Sequence, residues 1–311
     1  MRKKIKIIAF TGTRADYPRV KKVLEKIKLN KKFELKIVVS GTHVLKEYGN
    51  TYKEIIKDGF KIYKKFNIYD SNYDTLYGAT KAISNCTKRF AKILRDYNPD
   101  VVLITVDRIE TLGATIPASI MNFPIAHIQG GEVTGTIDEN IRHAVTKLSH
   151  IHLVANDDAK KRIIKLGEHK KYVFNVGCPY IDLIKSTKII SKDKLFNKLK
   201  LDVNKKTIIL IQHAVTTEYG ESKNQILKTI DALKKLDYNK YQVFSRVFAP
   251  ELNGFGCEIL WLSIKTHDRA PVRDWRDFQR IKNELAGTSC EAMEIYPAEE
   301  RLVDASNQYH L

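Results

Sequence analysis

Short apolar runs alternate with stretches of helical period through most of the chain. "KIKIIAF", "ELKIVVSG", "VVLITV", "PIAHI", "IHLVA" and "YVFNVG" are five to eight residues long, rich in aliphatic side chains, and followed by polar or glycine-containing turns. Such runs predict buried strands. Between them, "DYPRVKKVLEKIKLN", "TLYGATKAISNCTKRFAKILRDYNPD", "IETLGATIPASIMN", "ENIRHAVTKLSH" and "DDAKKRIIKLG" repeat apolar positions at intervals of three and four and predict helices. Strand and helix in turn imply right-handed βαβ units, hence an open, doubly wound parallel sheet ending near residue 180. A lysine-rich link then leads to "TIILIQHA" (strand), "ESKNQILKTIDALKKL" (helix) and "YQVFSRVF" (strand), the opening of a second α/β domain.

Composition changes this picture at one place. Residues 249–311 hold seven Lys and Arg, five of them Arg, against eleven Asp and Glu, whereas the whole chain carries +18. Both tryptophans, Trp261 and Trp275, also lie there. The expected organisation is therefore residues 1–180 as an N-terminal Rossmann-like domain, 181–248 as the first part of a second one, and 249–311 as a divergent, fused module. The basic charge before that point is spread along the chain rather than gathered on one arm or helix face, so no nucleic-acid partner is expected. Attraction of an anionic small molecule is the milder reading. No apolar run reaches membrane-spanning length and the start lacks a signal-peptide pattern, so a cytoplasmic protein without a membrane partner is expected. Cys86, Cys178, Cys257 and Cys290 are too widely spaced for a zinc site or a disulfide framework.

In an open α/β sheet, ligands bind beyond the carboxyl ends of the strands. Four polar clusters fall there. "TGTRAD" follows the first strand, with Gly12 for a tight turn, Arg14 to reach a phosphate and Asp16 to cap the next helix. "VDRIE" puts Asp107 and Arg108 at a strand tip and Glu110 in the first turn of a helix, where it complements the dipole. "HIQGGEVTGTIDENIRHAVTKLSH" offers Gly130 and Gly131 for close backbone approach, then Glu132. It continues with Asp138 and Glu139 at a helix start, one turn before Arg142 and His143. "IQHAVTTE", the fourth cluster, puts His213 at the carboxyl end of the first strand of the second domain, where its imidazole suits a diphosphate contact or a proton transfer. His150 and His152 are read as structural. No nucleophile elbow, P-loop, HExxH or complete GxGxxG occurs, which leaves carboxylates with Arg and His as the chemistry.

"TGTRADYPRVKKVL", "DRIETLGATIPASIMNFPIAHIQGGEVTGTIDENIRHAVTKLSH", "VGCPYIDLI" and "QHAVTTE", in this order, closely resemble the hydrolysing UDP-N-acetylglucosamine 2-epimerases of sialic-acid-type sugar biosynthesis. The resemblance covers residues 1 to about 247. It implies a glycosyltransferase-B-like fold of two Rossmann-like domains, a UDP-sugar substrate, no metal or redox cofactor, and a homodimer. It also implies elimination of UDP to a glycal, followed by hydration to N-acetylmannosamine. Motif by motif, Asp107 and Asp138 fall on the family's catalytic acids, and His213 on a histidine near the nucleotide. Arg14 and Arg108 fall on arginines that hold UDP. Gln129, Arg142 and His143 are carried as further substrate-binding positions. At Gln129 several family members have a glutamate; a glutamine is no base, which leaves Glu132 or Asp138 for that role. Family members also continue the second domain with Asn-x-Asp-x-Gly and Gly-Asn-Ser-Ser segments that this sequence lacks, so an incomplete second domain is expected. A diacetamido sugar as substrate, or a fused chain without activity, are the alternatives.

Overall fold

The computed structural model describes residues 3–70, 75–199, 201–213, 222–233, 241–248 and 259–264. The chain divides into two compact units, Met1–Ser186 and Thr187–Leu311.

The first unit is a seven-stranded sheet of β1 (Ile5–Thr11), β2 (Phe33–Val39), β3 (Ile62–Lys65), β4 (Val101–Thr105), β5 (Ile125–Ile128), β6 (Ile151–Val154) and β7 (Val173–Asn175). The order across the sheet is β3-β2-β1-β4-β5-β6-β7, and every pairing is parallel. The winding reverses between β1 and β4, so their carboxyl ends, Thr11 and Thr105, flank the crevice where such sheets bind ligands. The expected α/β doubly wound sheet is present, with one strand more than the apolar runs predict. β3 was not foreseen because "IYKK" puts two exposed lysines in a four-residue edge strand, which leaves no apolar run to see.

One face carries α3 (Leu76–Tyr97), α4 (Ile109–Ile120) and α5 (Ile137–Leu148); the other carries α1 (Tyr17–Leu29) and the short α2 (Tyr52–Lys57). In α3 the residues Ala82, Cys86, Phe90 and Leu94 recur every four positions and are all buried against Ile8, Phe10, Val102 and Ile104. Thr75 caps its start by accepting from the Gly78 amide, and Asn98, at φ 49°, ends it just before Pro99. Burial of Phe90 and of Leu94 contributes roughly 1.5–3 kcal/mol each relative to exposure. Helix α4 lies close on α3 because a side chain at Gly113 would sit 2.7 Å from the Cys86 Cβ. Helix α6 (Asp157–Lys165) buries Ala159 and Ile163 against Val154 and Val173, and α7 (Pro179–Ser186) contacts α1.

The second unit holds α8 (Lys192–Lys198), β8 (Lys206–His213), α9 (Ser222–Leu233), β9 (Tyr241–Phe248) and β10 (Ile259–Ile264). Its three strands run in the order β10-β9-β8, with β9 parallel to β8 and antiparallel to β10. β10 lies within the residues expected to form the divergent tail, and its six residues pair with Val243–Phe248. Ile209, inside β8, is 67% exposed. Among the described residues no helix is long and apolar enough to cross a membrane.

Candidate active site

Strand β4 ends in a conformation that a β-branched residue rarely adopts: Val106 has φ 61°, in the left-handed region. Two bonds hold it there. Its amide donates to the Ile128 carbonyl at 3.1 Å, and its carbonyl accepts from His127 Nε2 at 3.0 Å. A carbonyl can only accept, so Nε2 carries the proton and Nδ1 accepts from the Thr146 hydroxyl at 3.3 Å. Burial pushes the His127 pKa down to about 4, which leaves the ring neutral at pH 7. Gly130 makes room for this arrangement, since a Cβ there would lie 2.8 Å from His127 Nδ1 and 2.9 Å from Thr146 Oγ1. Gly131, at φ 81°, lies so close to α6 that a Cβ would be 2.6 Å from the Ala159 carbonyl. The glycine pair therefore serves packing inside the protein, a role the sequence reading did not assign to it.

Asp107 follows directly. Its Oδ2 accepts from Arg142 Nε at 2.9 Å and from a second guanidinium nitrogen of the same residue. Arg142 also donates to the Glu132 carbonyl at 2.6 Å and to Thr134 Oγ1 at 3.4 Å. One buried guanidinium thus joins the β4 tip, the loop after β5 and helix α5. The Asp138 side chain, in the first turn of α5, makes no hydrogen bond among the described residues. Its pKa is raised, chiefly by burial and further by Asp107, with Arg108 and Arg142 opposing. Glu139 is used differently: its Oε2 accepts from the Thr134 and Gly135 amides at 2.7 Å each, and these bonds lower its pKa. Its other oxygen lies 3.7 Å from His143 Nε2, and His143 Nδ1 is buried without a partner. Glu132 accepts from Asn156 Nδ2 at 3.3 Å. The Gln129 amide is engaged away from the acids, accepting from Arg19 at 3.3 Å and donating to Cys178 Sγ at 3.0 Å.

Across the crevice, the β1–α1 turn is organised by Asp16. Its carboxylate turns back to accept from the Gly12 and Thr13 amides at 3.1 and 3.0 Å and from the Thr13 hydroxyl at 2.7 Å. The side chain makes no cap bond to α1, contrary to the sequence expectation, because the turn ahead of it takes both oxygens. Burial, reinforced by Glu110, pushes its pKa up to about 7. Glu110 is the larger departure. Read from the sequence only as complementing the dipole in the first turn of α4, it is 0% exposed, and its Oε1 accepts from the Tyr69 hydroxyl at 2.5 Å. Arg108 Nε lies 3.6 Å from its other oxygen, and that carboxylate raises the arginine's pKa further. Arg14 is exposed on the same turn. His213 is the last residue of β8; its side chain and the segment after it lie outside the described residues.

Asp107, Arg108, Asp138 and Arg142 are thus brought together at the switch point. Glu132 joins them through its carbonyl, and Gln129 and His143 are held by other partners. The sequence reading missed His127, Thr146, Tyr69 and the burial of Glu110. Among the described residues no group of three His, Cys, Asp or Glu is placed to hold a metal ion. Chemically, the cluster offers an ion-paired carboxylate, a second carboxyl with raised proton affinity and an arginine, which suits proton transfer next to an anion.

A family model described as UDP-N-acetylglucosamine 2-epimerase matches residues 25–260, and one described as a domain of unknown function matches residues 256–311. The chain is 39% identical over 227 residues to the UDP-N,N'-diacetylbacillosamine 2-epimerase (hydrolyzing) of Legionella pneumophila, which covers 73% of this chain and 60% of the relative. It is 34% identical over 252 residues to the GDP/UDP-N,N'-diacetylbacillosamine 2-epimerase (hydrolyzing) of Campylobacter jejuni, covering 80% and 64%. The UDP-N-acetylglucosamine 2-epimerase of Neisseria meningitidis is 34% identical over 213 residues, covering 68% and 55%. The chain therefore spans 55–64% of the length of these relatives. Among solved structures, the N. meningitidis UDP-GlcNAc 2-epimerase bound to UDP-GlcNAc matches with a TM-score of 0.69 at 19% identity, over 95% of this chain and 73% of that one. The Methanocaldococcus jannaschii UDP-GlcNAc 2-epimerase in complex with UDP-GlcNAc and UDP matches with a TM-score of 0.66 at 15% identity, over 97% and 77%. These structural likenesses are of fold.

Proposed function

Because the chain belongs to the UDP-N-acetylglucosamine 2-epimerase family, we propose that it hydrolyses and epimerises a UDP-sugar, converting UDP-N-acetylglucosamine to N-acetylmannosamine and UDP for sialic-acid-type synthesis. In the first step the bond from the anomeric carbon to UDP breaks, carbon 2 loses its proton, and a 2-acetamidoglucal forms. In the second, water adds across that double bond with the opposite configuration at carbon 2. The observation that carries this reading is the Asp107–Arg142 pair beside Asp138 at the switch point of the sheet.

Expelling a diphosphate builds positive charge on the sugar ring, and a carboxylate there stabilises it. Asp107, held in one orientation by Arg142, fits that task. Asp138, whose proton affinity is raised, fits proton transfer at the sugar, with Glu132 and His213 as further candidates for moving protons. Arg14 and Arg108 fit the departing diphosphate, while Gln129, Arg142 and His143 shape the rim. A UDP- or GDP-linked diacetamido sugar, the kind of substrate for which the Legionella and Campylobacter relatives are named, is the alternative substrate.

The test is to incubate the purified chain with UDP-N-acetylglucosamine and, in parallel, with UDP-N,N'-diacetylbacillosamine, following UDP and free sugar. Release of UDP together with the 2-epimeric sugar supports the reading and identifies the substrate. A chain that is folded by circular dichroism and releases no UDP from either overturns it.

A further inference from the structure

Glu110 is a buried carboxylate for which the proposed reaction has no use. The fold makes room for it deliberately: a Cβ at Gly12 would lie 2.7 Å from the Glu110 Cβ, and one at Gly41 would lie 2.8 Å from its Cγ and 2.3 Å from the Gly12 carbonyl. Glycines from two different loops are thus given over to housing one acid. The Tyr69 hydroxyl fixes one of its oxygens at 2.5 Å. The other oxygen and Arg108 Nε are both buried, both without a hydrogen bond, and 3.6 Å apart, within ion-pair range. Yet the Arg108 side chain remains 37% exposed. With Nε turned inward, the N–H groups at the far end of the guanidinium are the ones left for an external anion.

A guanidinium presents donors along two edges, and only the edge that faces an anion can bind it in a forked geometry. An arginine on a strand tip, free to rotate, would present either. We infer that Glu110, fixed by Tyr69, is a positioning residue that holds Arg108 with its outer edge toward a diphosphate, an inference that rests on the reading given above. The role is one of orientation and not of attraction, because a buried negative charge behind Arg108 opposes anion binding. The charge balance agrees: with Asp16 raised to about 7 by burial and by Glu110, the buried group can take up a proton instead of a second negative charge.

Orientation and attraction separate in one experiment on the full chain. Glu110→Gln keeps the shape and removes the charge. Turnover is expected to fall about tenfold or more in kcat, while KM and the Kd for inorganic pyrophosphate stay within about threefold or tighten. Arg108→Ala, in contrast, is expected to weaken pyrophosphate binding by about tenfold. Tyr69→Phe, which keeps the ring and loses the hydroxyl, is expected to show the same split more weakly. An unchanged kcat in Glu110→Gln, or losses of kcat, KM and pyrophosphate affinity in parallel with lowered melting temperature, overturns the inference in favour of a merely structural acid. If the wild-type chain releases no UDP, the functional reading fails on its own. The inference is then judged on the Arg108 Nε–H resonance: it should persist in the wild type, exchange rapidly with water in Glu110→Gln, and leave pyrophosphate still bound. A resonance indifferent to the substitution, or failure of the wild type to bind pyrophosphate, overturns it. Should Glu110→Gln not fold, Tyr69→Phe carries the same readouts.

Discussion

Arg142 Nε donates to Asp107 Oδ2 at 2.9 Å, and this bond joins a strand tip to a helix 35 positions further along the chain. The arginine side chain is 4% exposed and the aspartate 20%, so the guanidinium in particular finds no substitute partner in water. Arg142→Lys keeps a positive charge but loses the fork and the bonds to Glu132 and Thr134. Turnover is expected to drop by at least about tenfold. Arg142→Ala leaves Asp107 without its partner and is expected to cost about 3 kcal/mol of stability, measurable by urea unfolding.

Asp107→Asn should reduce UDP release by about a hundredfold or more, while leaving the melting temperature within a few degrees of wild type. A rate equal to the wild type's would remove Asp107 from the mechanism.

Asp16 sets a dependence of stability on pH. Its folded pKa, about 7, lies above the ordinary value of 3.8, so between those values the folded state holds a proton that the unfolded chain has lost. Stability from this group is full below pH 4 and is lost as pH rises through 7, on the order of 4 kcal/mol in total. His127 acts with the opposite sign: its folded pKa of about 4 lies below 6.5, so its contribution is present above pH 6.5 and lost as pH falls toward 4. Asp16→Asn removes the first slope only. Relative to wild type, this variant should therefore gain stability from pH 4.5 to about pH 7.5, read by urea unfolding at the two ends.

Gly130 and Gly41 are among the glycines that have no space for a methyl group. Gly130→Ala would press on the His127–Thr146 pair and Gly41→Ala on the Gly12 carbonyl, the second at φ 59° as well. Each is expected to destabilise by about 1–3 kcal/mol, whereas Gly135→Ala, which meets nothing within 4 Å, should cost only what its φ of 68° imposes. Thermal melts of the three variants rank these effects.

Much of this architecture could be read in the chain. β1, β2, β4, β5 and β6 are short apolar runs bounded by turn residues, as buried strands are, and α3 shows its buried stripe at every fourth residue. What stayed hidden depends on neighbours far away in sequence. The pairing of Asp107 with Arg142 needs β4 beside β5 and α5, an order that no local pattern encodes. Glu110 stands where helices ordinarily carry a solvent-facing acid; only the glycines at 12 and 41, read together with the fold, betray that it is buried. Asp16 looked like a cap because the spacing allows one, and the tight turn ahead of it claimed the carboxylate first. β3 escaped because an edge strand can afford lysines.

The left-handed turn at Val106 is matched one strand over. Gln129 also has φ 61°, and its amide donates to the Leu153 carbonyl at 2.9 Å, just as the Val106 amide donates to Ile128. The strand tips are thereby chained: β4 is braced by β5, and β5 by β6. Two backbone bonds thus connect β6, whose own residues bond to neither Asp107 nor Asp138, with the turn that carries Asp107. The working parts of this crevice extend sideways along the sheet, so the third strand out belongs to its machinery as surely as the residues that line it.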